Sequence, residues 1–130
     1  MPSNQEVSAV STILVVDDEQ VLVDVLCAHL LKAGHVVIGA KDGLEALEIC
    51  HRQGDRIDLV ITGIRMPRMG GIELGNQLEA LYPHLKVIYM SGYAPSRKEL
   101  KAGSVFLEKP IPAEVLLSAV NAALHQAKEA

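Results

Sequence analysis

The sequence predicts an α/β fold, a doubly wound five-stranded parallel sheet with helices packed on both faces. Short apolar runs alternate along the chain with segments in which apolar residues recur at helical spacing. The strand-like runs are apolar at successive positions, which is typical of parallel strands that are covered on both faces. With 130 residues, of which 49% are hydrophobic, the chain is long enough for one domain with a sizeable core.

The predicted strands are short runs of mainly aliphatic residues bounded by turn residues. They cover residues 12–16, 35–40, 58–62, 85–90 and 104–107. Because each strand is followed by a helical segment, the connections are expected to be right-handed crossovers between parallel strands. The expected architecture is flavodoxin-like, a (βα)5 chain with the strand order 2-1-3-4-5.

The predicted helices carry apolar residues three or four positions apart. They cover residues 19–32, 43–53, 71–82, 96–102 and 112 to about 128. Gly34, Gly54 and Pro83 follow the first three helices as stop signals, and only a short helix fits at residues 96–102. The first helix has Leu22, Val25, Leu26 and Leu30 on one face, and the second carries Leu44, Leu47 and Ile49. The residues of the last helix that are expected to face inward are Val115, Leu116, Ala119, Val120, Ala123 and Leu124.

Composition and charge restrict the class of protein. The net charge of −4 argues against a nucleic-acid partner, and no apolar run approaches the length of a membrane span. Residues 1–11 lack the pattern of a secretory signal and are predicted to be a flexible tail before a domain at residues 12–128. Cys27 and Cys50 lie within helical patterns and are expected to be reduced, as in a cytoplasmic protein.

Residues with charged or hydroxyl side chains follow several of the predicted strands, and a glycine follows the third. They are Asp17, Asp18, Ser91 and Lys109, with Gly63 at the same edge. In doubly wound sheets, binding sites form beyond the carboxyl ends of the strands, near the reversal in strand order. Two adjacent carboxylates repel each other and need a cation or a basic residue nearby, and carboxylate oxygens are ligands that Mg²⁺ prefers.

The sequence resembles the receiver domain of two-component response regulators, the CheY-like family, over residues 12 to about 125. The segments that carry the resemblance are Val15-Val16-Asp17-Asp18-Glu19, Leu59-Val60-Ile61-Thr62 followed by Gly63-Ile64-Arg65-Met66-Pro67, Met90-Ser91-Gly92 and Glu108-Lys109-Pro110. Each motif is modest alone, but their order and spacing are specific.

The resemblance implies a role for each residue of the predicted site. Asp18 would bind Mg²⁺ directly and Asp17 mainly through water, with the backbone carbonyl of Arg65 as a further ligand. Lys109 would reach the centre of the site, and its peptide bond to Pro110 is a candidate for the cis form. Ser91 would contact a phosphoryl group, and the residues expected to switch conformation in response are Ser91 and Phe106.

Gly63 departs from the family pattern, because the matching residue is the aspartate that accepts the phosphoryl group. Glycine has no side chain to attack phosphorus. Thr62 should point to the opposite face of its strand, and Asp58 lies roughly 16 Å away, about five strand residues at about 3.3 Å each. With one carboxylate missing, Lys109 should neutralise more of the remaining charge, and Mg²⁺ should bind weakly.

The sequence therefore predicts a phosphorylation-independent signalling module of a two-component phosphorelay that is not an enzyme. Its expected partners are a histidine kinase, a phosphotransfer protein or a downstream target protein. The docking surface is expected on the first helix, or on the face formed by residues 96–102, the fifth strand and the last helix, which is also the candidate homodimer surface. We expect no DNA-binding output domain, since the chain ends after the last helix.

Three alternatives stay open. The first is an ordinary phosphoacceptor receiver with an engineered or acquired change of aspartate to glycine. The second is phosphoryl acceptance at Ser91, Asp17 or Asp18. The third is a small-ligand module on the same fold, although the acidic residues after the first strand would repel the phosphate of a flavin.

The sequence has two smaller departures from the family pattern. The stretch at residues 93–103 is short, and Gly75 lies inside the third helix, where glycine costs up to about 1 kcal/mol.

Overall fold

The computed structural model describes residues 10–92 and 99–129, with side chains described as far as His125. The strands are β1 (Thr12–Val16), β2 (Val36–Ala40), β3 (Leu59–Gly63), β4 (Lys86–Ser91) and β5 (Val105–Glu108). The helices are α1 (Gln20–Lys32), α2 (Gly43–Gln53), α3 (Gly71–Leu81) and α4 (Ala113–Glu129), with a 3₁₀ turn at Gly54–Arg56. Residues 1–9 of the predicted tail, and residues 96–98 of the helix predicted at residues 96–102, lie outside the described residues.

The five strands form one parallel sheet in the order β2-β1-β3-β4-β5, which confirms the predicted fold. The central register pairs Val16 with Thr62 and Gly63 with Met90. The sheet continues outward with Ser91 opposite Glu108. The carboxyl ends of β1, β3, β4 and β5 therefore lie at one edge.

The core has two layers, one on each face of the sheet, and both are almost entirely aliphatic. Within β1, Ile13 and Val15 belong to the layer under α1 and α4, whereas Leu14 and Val16 belong to the layer under α2 and α3. All four side chains are inaccessible to solvent. Because both faces of the central strands are covered, these strands carry apolar residues at every position.

Three apolar residues of the predicted helical patterns are exposed, among them Val115, which was expected to face inward. Val25 is 45%, Leu44 42% and Val115 43% exposed. The buried stripes run through Val23, Leu26 and Leu30 in α1, through Ala46, Ile49 and Cys50 in α2, and through Leu116, Val120 and Ala123 in α4. The apolar face of each helix is wider than the stripe that contacts the sheet, so spacing alone admits flanking residues.

Four strands begin one residue later than the sequence predicted, and three of them also end one residue later. Gly63 is therefore the last residue of β3, and Ser91 is the last residue of β4. Both are buried. Among the described residues, no helix combines the length and apolarity needed to cross a bilayer.

Candidate functional site

The sheet brings the predicted site residues to its carboxyl edge. Asp17 directly follows β1, and its amide donates to the carbonyl of Ala40 at 3.1 Å. Lys109 directly follows β5, and its amide donates to the carbonyl of Ser91 at 3.0 Å. These bonds continue the parallel ladder past the strand ends, so the positions of Asp17, Ser91 and Lys109 are set by the sheet rather than by flexible loops.

Asp17 and Lys109 form the central contact of the site. The Nζ of Lys109 lies 2.9 Å from Oδ2 of Asp17 and 3.1 Å from Oε1 of Glu19. The other carboxylate oxygen of Asp17, Oδ1, accepts the amide of Glu19 at 3.0 Å. The side chain of Asp17 is only 1% exposed and that of Lys109 is 22% exposed. The Asp17 carboxylate is thus enclosed with a hydrogen-bond donor on each oxygen.

The electrostatic balance keeps Lys109 charged. Burial alone would lower the pKa of Lys109, but the hydrogen bonds from Lys109 to Asp17 and Glu19, and their negative charge, outweigh burial and raise the pKa above its ordinary value. A buried carboxylate needs a nearby positive charge. Lys109 therefore remains a cation that neutralises Asp17 throughout the neutral range.

The Asp17 carboxylate also lies where a side chain at position 63 would begin. A Cβ built on Gly63 would lie 2.3 Å from Oδ2 of Asp17, closer than two such atoms can approach. The Gly63 backbone is crowded on another side as well, since a Cβ on Gly71 would lie 2.0 Å from the Gly63 carbonyl oxygen. In this arrangement position 63 has room for glycine alone.

Other predicted residues lie around this contact. Ser91 is buried at the end of β4, Phe106 is half-buried in β5 opposite Tyr89, and Asp18 is exposed. The Lys109–Pro110 peptide bond is cis. The Thr62 side chain is completely buried, and its hydroxyl donates to the Gly63 carbonyl at 2.9 Å.

An ion pair beside the site was missed by sequence reasoning. Arg68, which has a positive φ of 70°, donates from Nε to Oδ2 of Asp42 at 2.8 Å. The other oxygen of Asp42 accepts the amide of Glu45 at 2.9 Å and caps α2. The hydrogen bond from Arg68 is the main reason why the pKa of Asp42 is lowered. The spacing Asp42 to Glu45 is a capping signal that could have identified the cap, although not its link to the loop after β3.

The site fits a divalent cation poorly. Both oxygens of Asp17 already accept hydrogen bonds, and the Lys109 ammonium lies where it would repel a second cation. Across residues 10–92 and 99–129, no group of three or more His, Cys, Asp or Glu side chains is arranged to hold a metal ion. A cation would have to displace Lys109 or bind at exposed Asp18.

A model of the response regulator receiver domain family matches residues 13–121 of this chain. The chain belongs to this family. It is 33% identical over 125 residues to "Sensor kinase CckA" of Brucella abortus and 30% identical over 122 residues to "Transcriptional regulatory protein GlrR" of Escherichia coli. The matches cover 93% and 91% of this chain, but only 13% and 27% of those two proteins.

A solved structure shows the same fold. The receiver domain protein from Clostridium thermocellum superimposes with a TM-score of 0.82 at 29% identity, and the match covers 92% of this chain and 98% of that one. A receiver domain therefore accounts for the topology and for the edge at which Asp17, Ser91 and Lys109 meet.

Proposed function

We propose that this receiver domain signals without being phosphorylated, as a protein-binding module in a two-component pathway rather than as an enzyme. The observation that carries the proposal is the geometry at the end of β3. Gly63 has no side chain, and Oδ2 of Asp17 fills the space where one would begin while pairing with Lys109 at 2.9 Å. The lysine that would contact a phosphoryl group is engaged within the protein.

The remaining carboxylates and hydroxyl are poor substitutes for a nucleophile. Asp17 is almost completely enclosed and already accepts a hydrogen bond on each oxygen. Ser91 is 5% exposed, and its hydroxyl would need a base to be activated. Asp18 is exposed, which leaves it without the enclosed, charge-stabilised surroundings that phosphoryl transfer requires. We therefore expect no stable phosphoryl adduct on the native chain and only weak Mg²⁺ binding.

Protein binding is the function that remains, and α1 offers a better docking surface than β5 and α4 do. Val21 is 77% and Val25 45% exposed, and four-residue spacing places them on one face of α1. An exposed apolar stripe on a helix suits docking against another helix. We propose that a histidine kinase or phosphotransfer protein docks there, in the cytoplasm. The alternative occupants are a downstream target protein on α1 and a second copy of this chain on β5 and α4, where Val105 and Val115 are exposed.

The direct test is intact-mass spectrometry of the native protein, of Gly63→Asp and of the double variant Asp17→Asn/Gly63→Asp after incubation with Mg²⁺ and acetyl phosphate. The native protein should gain no phosphoryl group. The double variant should gain one more readily than Gly63→Asp, because asparagine lacks the charge that would repel the new carboxylate. A phosphoryl group on the native chain would overturn the proposal, and peptide mapping would then show which residue accepts it.

Docking on α1 is tested by calorimetric titration of candidate histidine kinases and phosphotransfer proteins against Val25→Asp. Leu81→Asp is the matched control, because Leu81 is 52% exposed at the end of α3, on the other face of the sheet. Loss of binding in Val25→Asp alone supports the α1 surface. Equal loss in both variants, or in neither, contradicts it.

A further inference from the structure

A second feature of the fold lies apart from the carboxyl-edge site. A cavity of about 340 Å³ lies beside α3, β4 and residues 99–105. The lining residues that bear on its chemistry are Gly75, Asn76, Glu79, Tyr89 and Lys101. Asp17, Ser91 and Lys109 do not line it. Its volume falls within the range of small-molecule pockets, about 300–1,000 Å³.

Tyr89 contributes a largely buried polar residue to the lining of this cavity. The residue is 8% exposed, and its hydroxyl has no hydrogen-bond partner among the residues that the structure describes. In that part of the chain, every fully enclosed side-chain oxygen has a hydrogen-bond partner, so the Tyr89 hydroxyl is not fully enclosed. Because Tyr89 lines the cavity, we infer that its hydroxyl opens into it. Burial, and then the charge of Glu79, raise the pKa of Tyr89. The hydroxyl therefore stays protonated and available as a donor.

Gly75 explains how this hydroxyl is held. A Cβ built on Gly75 would lie 1.8 Å from the Tyr89 hydroxyl oxygen and 2.8 Å from Cζ of its ring. Any other residue at position 75 would force Tyr89 to move. Glycine within a helix costs up to about 1 kcal/mol relative to alanine. This destabilising glycine lies at the point of α3 where the Tyr89 ring packs against the helix backbone.

The charges around the cavity favour an uncharged occupant. The ionisable lining side chains, Tyr89 apart, are Glu79, Glu99, Lys86 and Lys101, two acids and two bases. Glu79 and Lys101 pair with each other and are 60% and 65% exposed, so they form a solvated rim with no net charge. Ile72, Leu85 and Val87 supply apolar lining.

We propose that this cavity binds a small uncharged molecule with an apolar body and an oxygen that accepts a hydrogen bond from Tyr89, such as an aromatic ketone or amide. The oxygen would accept the hydrogen bond that the Tyr89 hydroxyl can donate into the cavity, and the apolar body would contact the aliphatic lining. The site is independent of the proposed function, because none of its lining residues belongs to the carboxyl-edge cluster.

The test is a titration of the ¹⁵N-labelled protein with acetophenone, followed by amide chemical shifts. The largest shifts should occur at residues 72–79, 86–89 and 101–105, and Tyr89→Phe should weaken binding about 5-fold, the equivalent of about 1 kcal/mol for one hydrogen bond. Benzoate, which has a similar shape but carries a charge, should bind more weakly than acetophenone. Tyr82→Phe is the matched control and should leave the affinity unchanged.

Three results would overturn the proposal. They are shifts that cluster elsewhere or do not appear up to the solubility limit of acetophenone, an unchanged affinity in Tyr89→Phe, and tighter binding of benzoate. Tyr89→Phe removes one oxygen and keeps the ring, so it should remain folded, which amide spectra will show. Gly75→Ala should also abolish binding by displacing the ring, but the test does not depend on that variant.

Discussion

Lys109→Met should destabilise the protein far more than removal of an ordinary surface lysine. The variant leaves the Asp17 carboxylate at 1% exposure without its ammonium partner, and the Glu19 amide is then its one remaining donor among the residues that the structure describes. Removing one partner of a fully buried pair costs about 3–5 kcal/mol, and a charge-assisted hydrogen bond contributes about 1.5–3 kcal/mol. Because Lys109 is 22% exposed, water can replace part of the lost interaction. We expect a loss of about 2–3 kcal/mol.

Guanidinium denaturation followed by circular dichroism at neutral pH measures this loss. Lys101→Met is the matched control, because it removes the exposed pair with Glu79 and should cost less than about 1 kcal/mol. The double variant Asp17→Asn/Lys109→Met should be less destabilised than the sum of its single changes, because the unpaired charge is gone. If Lys109→Met is no less stable than Lys101→Met, or if the changes are additive, the Asp17–Lys109 pair is not a stabilising contact.

The pH dependence supplies an independent check on the same pair. The pKa of Lys109 is raised in the folded state. Its contribution is therefore complete below the unfolded value, near 10.4, and is lost as the pH rises through the folded value. The stability difference between the native protein and Lys109→Met should stay constant between about pH 6 and pH 9 and should shrink only in more alkaline solution. A difference that shrinks near neutrality would contradict the assignment.

Three further outcomes are expected. Asp42→Ala should lower stability by about 1–2 kcal/mol in thermal unfolding, and by more than Arg68→Ala does, because it also removes the α2 cap. Since the pKa of Asp42 is lowered, the stability difference between Asp42→Ala and the native protein should fade as the pH drops below about 4. Burial lowers the pKa of His35, so native stability in urea should fall as the pH drops below about 6.5, and His35→Gln should show a smaller fall. Magnesium titration followed by amide NMR should give millimolar affinity, and a low-micromolar value would contradict the poor fit of the site.

Local signals were sufficient to predict the fold. Stop signals such as Gly34 and continuous apolar strands located most elements to within one residue, and general rules for parallel sheets predicted the strand order. Which helical residues are buried was harder to predict. Val25 and Val23 are both apolar and close in sequence, and only the rotation of α1 against the sheet decides that Val23 is the buried one.

In the site, too, the sequence predicts which residues come together but not which side chains pair. The edge on which Asp17 and Lys109 meet follows from the topology, and the sequence also predicts that Lys109 neutralises carboxylate charge there. Which carboxylate it selects depends on side-chain packing, which leaves Asp17 enclosed and Asp18 exposed. The contact between Arg68 and Asp42 spans 26 residues and joins two loops, so neither loop predicts it alone.

The contact between Asp17 and Lys109 depends on the glycine at the end of β3. A side chain at position 63 would exclude the Asp17 carboxylate from its present place, since a Cβ there would lie 2.3 Å from Oδ2. Asp17 would have to turn away from Lys109, and two carboxylates would then compete for one ammonium. On the proposed function, restoring an aspartate at Gly63 alone therefore does not restore an acceptor site, because the internal pair has to open as well.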